Sequence, residues 1–131
     1  PLEKEIKEKI VEKNLINDVI VLPFQSNIND YFQAFDLFVL PSLYEGLPVV
    51  GVEAQYSGLQ CIFSDEITKE IGFLSSEFVS LQSSPKIWAL KIQNLLDKEV
   101  NRNIANIEEM DKNGFNICYS VKDLERIYLG L

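Results

Sequence analysis

Short unbroken apolar runs alternate with amphipathic stretches along this chain. Val19, Ile20, Val21 and Leu22 form one such run, Leu37, Phe38, Val39 and Leu40 a second, and Cys61, Ile62 and Phe63, entered through Gln60, a third. Runs of this length without polar alternation fit strands covered on both faces. Phe78, Val79, Ser80 and Leu81 give a fourth, shorter strand candidate. Between the runs lie helical patterns. Residues 3–13 form a charge-dense segment in which Leu2, Ile6 and Ile10, with Val11 beside them, predict a solvated helix with one buried stripe, ended by Asn14 and Asn17-Asp18. Residues 27–34 predict a short helix offering Ile28, Tyr31 and Phe32 to the interior. A helix over about 47–57 has Pro48 in its first turn and Gly58 just past its end. A short helical piece follows at 68–71. Ser84-Pro85 opens a helix running to about Leu96, with Trp88, Ile92 and Leu95 on one face. A more polar helix spans roughly 101–112, with Ile104 and Ile107, until Asn113-Gly114 breaks it. The last, 121–131, places Val121, Leu124, Ile127, Tyr128 and Leu131 at helical spacing. Buried strands alternating with helices predict an α/β fold: right-handed βαβ units and a parallel, Rossmann-like sheet of about four strands flanked by helices. No repeat or linker divides residues 1–131, which read as a single domain.

Composition narrows the chemistry. Of 131 residues, 47% are hydrophobic and 24% charged, as in a folded soluble domain. A net charge of −8 argues against a surface that binds nucleic acid or anionic lipid as a whole, though not against one local basic or amide-lined pocket. No run of about 18 apolar residues is present to span a bilayer. The charged opening does not resemble a secretory signal. Cys61 and Cys118, with no CxxC spacing, read as reduced core thiols of a cytoplasmic protein. Histidine is absent, which removes His-based triads, His general bases and most zinc sites together. Chemistry must then run on carboxylates, hydroxyls, backbone amides and helix ends.

Parallel sheets bind ligands outside the carboxyl ends of their strands. That directs attention to residues 23–26, 41–46 and 64–66. The second of these continues into the most informative stretch, from Asp36 to Ala54. Gly46, at its turn, can bring backbone close to a ligand or adopt positive φ. The unpaired N–H groups around Gly46, Leu47 and Val49, flanking Pro48, together with the helix dipole, favour an anion such as phosphate. If the segment is helical throughout, Glu45 and Glu53 lie about 12 Å apart along the axis and within roughly 80° of each other. One carboxylate can then reach the part of a ligand next to the phosphates, and the other a diol such as that of ribose. The plainer reading is a solvated loop glutamate and a satisfied helix glutamate. Tyr44 could stack on a ligand or pack on the strand ends. Trp88 reads as core. Ser42 reads as a cap rather than a phosphate contact, and Asp65 as a cap for the following helix. Ser64 and Asp65 as a nucleophile pair lack a base.

The particular residues resemble the C-terminal, nucleotide-binding half of GT-B-fold glycosyltransferases of the family 4 type, the group making capsular, lipopolysaccharide and other bacterial surface polysaccharides. The matching positions are Asp36 through Ser42, Glu45-Gly46-Leu47-Pro48, Glu53, Ala54 through Gly58, and Ser64-Asp65, with further likeness at 27–31 and 84–89. The resemblance implies a transferase whose donor is a uridine- or other nucleoside-diphosphate sugar and whose acceptor is a saccharide, free or lipid-linked. Glu53 would hold the ribose hydroxyls. Glu45, as the catalytic-site carboxylate, would meet the donor sugar's hydroxyls. Gly46 and Leu47, with Pro48 and Val49 beside them, would present main-chain amides to the sugar or distal phosphate. The family transfers with retention, without a bound metal or other cofactor. Helix-end amides and basic side chains steady the leaving group instead.

Two positions depart from the family pattern. Pro23 replaces a small residue near the base, and Gln60 replaces a proline at strand entry. The chain is also shorter than one of the two domains such an enzyme has. It is therefore expected to be a fragment that binds a nucleotide weakly and transfers nothing alone, the acceptor domain and the basic pair that neutralises the diphosphate having no counterpart in it. In the strand order 3-2-1-4-5-6, the 19–22 run would lack its neighbours. It would then pair directly with 37–40, or an exposed sheet edge would drive self-association. The expected location is cytoplasmic, the longer protein being peripheral at the inner face of the membrane. The alternatives are a non-catalytic nucleotide-binding or interaction module, and a GT-B-fold sugar-nucleotide epimerase, which would need acid–base residues absent here.

Overall fold

A computed structural model describes residues 2–73, 76–98, 102 and 105–130. Its elements, in chain order, are α1 (Leu2–Glu12), α2 (Ile28–Ala34), β1 (Leu37–Leu40), α3 (Val49–Tyr56), β2 (Gln60–Ser64), a 3-10 turn (Lys69–Ile71), β3 (Glu77–Val79), α4 (Pro85–Leu96), α5 (Ala105–Lys112) and α6 (Ile117–Leu129). The strands form one parallel sheet in the order β1-β2-β3. The α/β, partial Rossmann-like architecture expected from the alternating runs is present.

Strand pleating explains how one short sheet supports two cores. Phe38 and Leu40 of β1 stand opposite Cys61 and Phe63 of β2, while Val39 stands opposite Ile62. The first set points to a core with Phe32, Ala54, Leu59 and Ile71, roofed by α2 and α3. The second set points to Val79 and Leu95, roofed by α4. Because both faces are covered, the central strand β2 is buried at every position. Gly51 lets α3 lie close on β2: a Cβ there would meet Ile71 Cδ1 at 2.7 Å and Phe63 Cε1 at 2.9 Å. Gly58, at φ +78°, ends α3 as expected, and the amides of Gly58 and Leu59 close back onto the carbonyls of Gln55 and Ala54. Trp88 packs in the second core, its indole N–H donating to the Ser80 carbonyl at 3.1 Å.

Several expectations need correction. The sheet has three strands among the described residues, not about four. The 19–22 run is irregular, and Ile20 is 82% exposed. It does not pair with β1, and without a neighbouring strand to take its N–H and C=O groups an apolar run has no ladder to join. The β3 strand lies at 77–79 rather than 78–81. The buried stripe expected of α1 is not buried, since α1 has no buried residue. The last helix begins at Ile117 instead of 121, because the Asn116 side chain accepts from the Cys118 amide at 2.9 Å and caps it there. Its apolar spacing also covers nothing. Cys118 is exposed, so only Cys61 is a core thiol. Asn101, Ile104, the Ile107 side chain and Leu131 lie outside the described residues. Among the described residues, no helix is long and apolar enough to cross a membrane.

Candidate functional site

The carboxyl ends of β1 and β2 lie side by side, with Leu40 opposite Phe63, and the segment leaving β1 passes over the end of β2. Ser64, the last residue of β2, is fully buried, and its hydroxyl donates to the Ser42 carbonyl. The Ser42 hydroxyl donates in turn to Glu45 Oε1 at 3.0 Å. Ser42 thus holds Glu45 rather than capping a helix, which corrects the sequence reading. The serine-to-glutamate spacing of three was the signal available for it.

Beyond Glu45 the backbone turns into α3. The helix begins at Val49, with Pro48 as its extended N-cap residue at φ −73° and ψ 100°. Proline therefore stands one position earlier than the first helical turn. No side chain caps this end. The N–H groups of Gly46, Leu47 and Val49 donate to no acceptor among the described residues. Gly46 does not use positive φ, and a Cβ added there would have nothing within 4 Å. Neither packing nor conformation within the chain calls for glycine at that position; the space in front of it is open.

Residues 45–48 are not helical, so the helical-wheel relation drawn between Glu45 and Glu53 does not apply as stated. What holds is a shorter relation. Glu53 lies four residues, about 6 Å, beyond Val49 on the same face of α3. That face is the outward one, since Gly51, Ala54 and Gln55 are the buried positions. Glu53 is exposed, with no side-chain hydrogen bond or ion pair among the described residues. The site is an open ledge: a tethered carboxylate, a run of free amides at a helix start, and a second carboxylate one turn along. Tyr44 is 83% exposed and does not pack on the strand ends.

Neighbouring segments complete the picture. Asp65 does not cap the 3-10 turn; Thr68 does, accepting from the Glu70 amide at 3.4 Å. Lys69 instead donates to the Asp65 carbonyl and sits 3.8 Å over the Phe78 ring. Residues 23–26 form an irregular stretch next to α2, with Phe24 93% exposed and the Tyr31 hydroxyl donating to Gln25 at 3.1 Å. Leu22, Pro23, Phe24, Ile28 and Tyr31 border a concavity of about 430 Å³. Gln55, which the sequence reading passed over, braces the far side of α3. Its amide donates to the Gly51 and Ile71 carbonyls at 3.0 and 2.9 Å and accepts from the Phe73 amide and Ser76 hydroxyl at 3.1 and 2.8 Å.

Comparison with known proteins finds one family and several relatives. The family described as glycosyl transferases group 1 matches residues 1–114. A putative glycosyltransferase, EpsF, of Bacillus subtilis is 47% identical over 91 residues, 68% of this chain and 24% of that protein. An Escherichia coli UDP-Gal:alpha-D-GlcNAc-diphosphoundecaprenol alpha-1,3-galactosyltransferase is 31% identical over 124 residues, 92% of this chain and 32% of its own length. A Staphylococcus aureus capsular polysaccharide biosynthesis glycosyltransferase, CapH, is 29% identical over 122 residues, covering 90% of the chain and 32% of the relative. The chain thus spans about a quarter to a third of these relatives. No solved structure matches it.

Proposed function

The chain belongs to the group 1 glycosyl transferases, and from that premise we propose that it forms the nucleotide-sugar-binding part of an enzyme that builds bacterial surface polysaccharide. The donor is a nucleoside-diphosphate sugar, a uridine diphosphate sugar being the first to test. The acceptor is a saccharide or lipid-linked saccharide, met at the cytoplasmic face of the membrane.

Each part of the ledge has a task set by its chemistry. The Gly46, Leu47 and Val49 amides, at the positive end of α3, accept the charge of the distal phosphate. Those amides gain most when the sugar leaves, because negative charge then grows on the phosphate oxygens they face. Glu53, acceptor-only when ionised, takes two hydrogen bonds from the ribose diol. Glu45 takes hydroxyls of the donor sugar and so orients the anomeric carbon. Transfer proceeds with retention and without a metal, the amides doing for the leaving group what a cation does elsewhere.

The observation that carries the reading is Gly46: a glycine that the fold itself does not require, facing open space beside unpaired amides. The test is titration calorimetry of the chain with uridine diphosphate. Glu53→Ala should weaken binding by about 1.5–3 kcal/mol, roughly 10- to 150-fold. Equal binding by the variant, or none by the folded wild-type chain, would remove the assigned site.

A further inference from the structure

Among the described residues, segment 42–47 enters no main-chain to main-chain hydrogen bond, although it carries Glu45. Its tether is made of side chains. We propose that Ser42 is a positioning residue for Glu45 and that Ser64 anchors it, so that two serines carry the rigidity of the central strand out to the carboxylate facing the donor sugar. The inference rests on the donor site proposed above and adds to it what aims that carboxylate.

The sequence of contacts is directional. Strand β2 is buried along its whole length and paired on both sides, which makes its end the most fixed point near the ledge. Ser64 sits at that end, and its buried hydroxyl donates to the Ser42 carbonyl, 22 residues away in sequence. With its carbonyl held, Ser42 can place its own hydroxyl, which donates to Glu45 Oε1 at 3.0 Å. One carboxylate oxygen is thereby engaged and the other stays free to accept from a sugar hydroxyl. The residues between give no alternative support: Leu43 is 81% exposed and Tyr44 83%. Without the Ser42 hydroxyl, the Glu45 side chain must be ordered by the ligand itself, a cost that falls on binding.

The relay acts on the sugar and not on the nucleotide, which separates it from a merely structural role. The experiment compares the full chain with Ser42→Ala, Ser42→Thr and Ser64→Ala. Calorimetry is run with uridine diphosphate and with UDP-glucose, UDP-galactose and UDP-N-acetylglucosamine. The wild-type chain should bind one of the sugar nucleotides more tightly than the diphosphate alone. Ser42→Ala and Ser64→Ala should reduce that extra affinity about 3- to 10-fold, leave diphosphate binding unchanged, and Ser42→Thr should keep it. A sugar-dependent gain that survives Ser42→Ala overturns the proposal, as does a loss shared equally by diphosphate and sugar nucleotide. A second arm needs no ligand: carbon relaxation of the Glu45 side chain should report a fixed carboxylate in wild type and Ser42→Thr and a mobile one in Ser42→Ala. Equal mobility in all three overturns the relay whatever binds. A failure of diphosphate binding, by contrast, counts against the donor site and leaves this second arm to judge the relay.

Discussion

Gly46 and Gly51 are five positions apart, and the account assigns them opposite reasons for being glycine. A methyl group added at Gly51 would lie 2.7 Å from Ile71 Cδ1 and 2.9 Å from Phe63 Cε1, inside the first core. Gly51→Ala therefore overpacks the α3–β2 contact and should cost about 1–3 kcal/mol of stability. The same methyl at Gly46 meets nothing within 4 Å and needs no positive φ. Gly46→Ala should leave stability unchanged or raise it by about 0.4–1 kcal/mol, because alanine has less freedom to lose on folding. Ligand binding reverses the order. A Cβ at Gly46 projects into the space the phosphate needs and forfeits a charge-assisted hydrogen bond, about 1.5–3 kcal/mol or roughly 10- to 150-fold in affinity. Urea denaturation and calorimetry with uridine diphosphate, on both variants, read the two quantities separately. A Gly46→Ala chain that is destabilised like Gly51→Ala, or that binds as tightly as wild type, would refute the assignment of Gly46 to a ligand.

Three further outcomes follow from the same structure. Gln55→Met keeps the volume but removes four buried hydrogen bonds, while Ile71, Phe73 and Ser76 keep bonds to one another, so it should cost about 1–3 kcal/mol in urea denaturation; an unchanged stability would contradict a bracing role for Gln55. Burial pushes the Cys61 thiol up to about 12, and burial together with the hydrogen bond to Asp111 pushes Tyr56 up to about 12. Both acids stay neutral in the fold after the unfolded chain has begun to ionise, so their stabilisation is complete below about pH 9 and is lost as pH rises toward 12. A Tyr56→Phe chain should show a flatter decline between pH 10 and 12 in thermal melts, and an unaltered slope would contradict the shift. The β1 edge away from β2 has no strand partner among the described residues. The chain should therefore self-associate with rising concentration in light-scattering chromatography; a monomer at all concentrations would show the edge to be protected.

What was legible in the sequence follows from what is local. The β1 and β2 runs could be recognised because burial on both faces removes alternation, and Gly58 because a helix end needs a residue that tolerates positive φ. The 19–22 run carries the same apolar pattern as β1, yet strand formation depends on a neighbour, which pattern does not report. Likewise the stripes of α1 and α6 are real as spacing, but burial requires a surface to meet them. At the candidate site, Glu45, Gly46 and Glu53 are singled out by residue type and order alone. Their support is not. Ser64 reaches Ser42 across 22 residues, and Gln55 reaches Ile71, Phe73 and Ser76, contacts created by the crossover that folds α3 back on β2. A glutamine four residues after Gly51, on the buried face of a mostly apolar helix, was the one local hint.

The central claim is that the amides opening α3 receive a phosphorylated sugar while Glu53 takes its ribose. Titrating the isotope-labelled chain with uridine diphosphate, and following each backbone amide by NMR, tests it directly. The account predicts saturable shifts concentrated at Gly46, Leu47, Val49 and Glu53, with Gln60 and Asp36 at the opposite ends of the strands unmoved. Shifts centred on those opposite ends, or no saturable change at Gly46 and its neighbours, would contradict it.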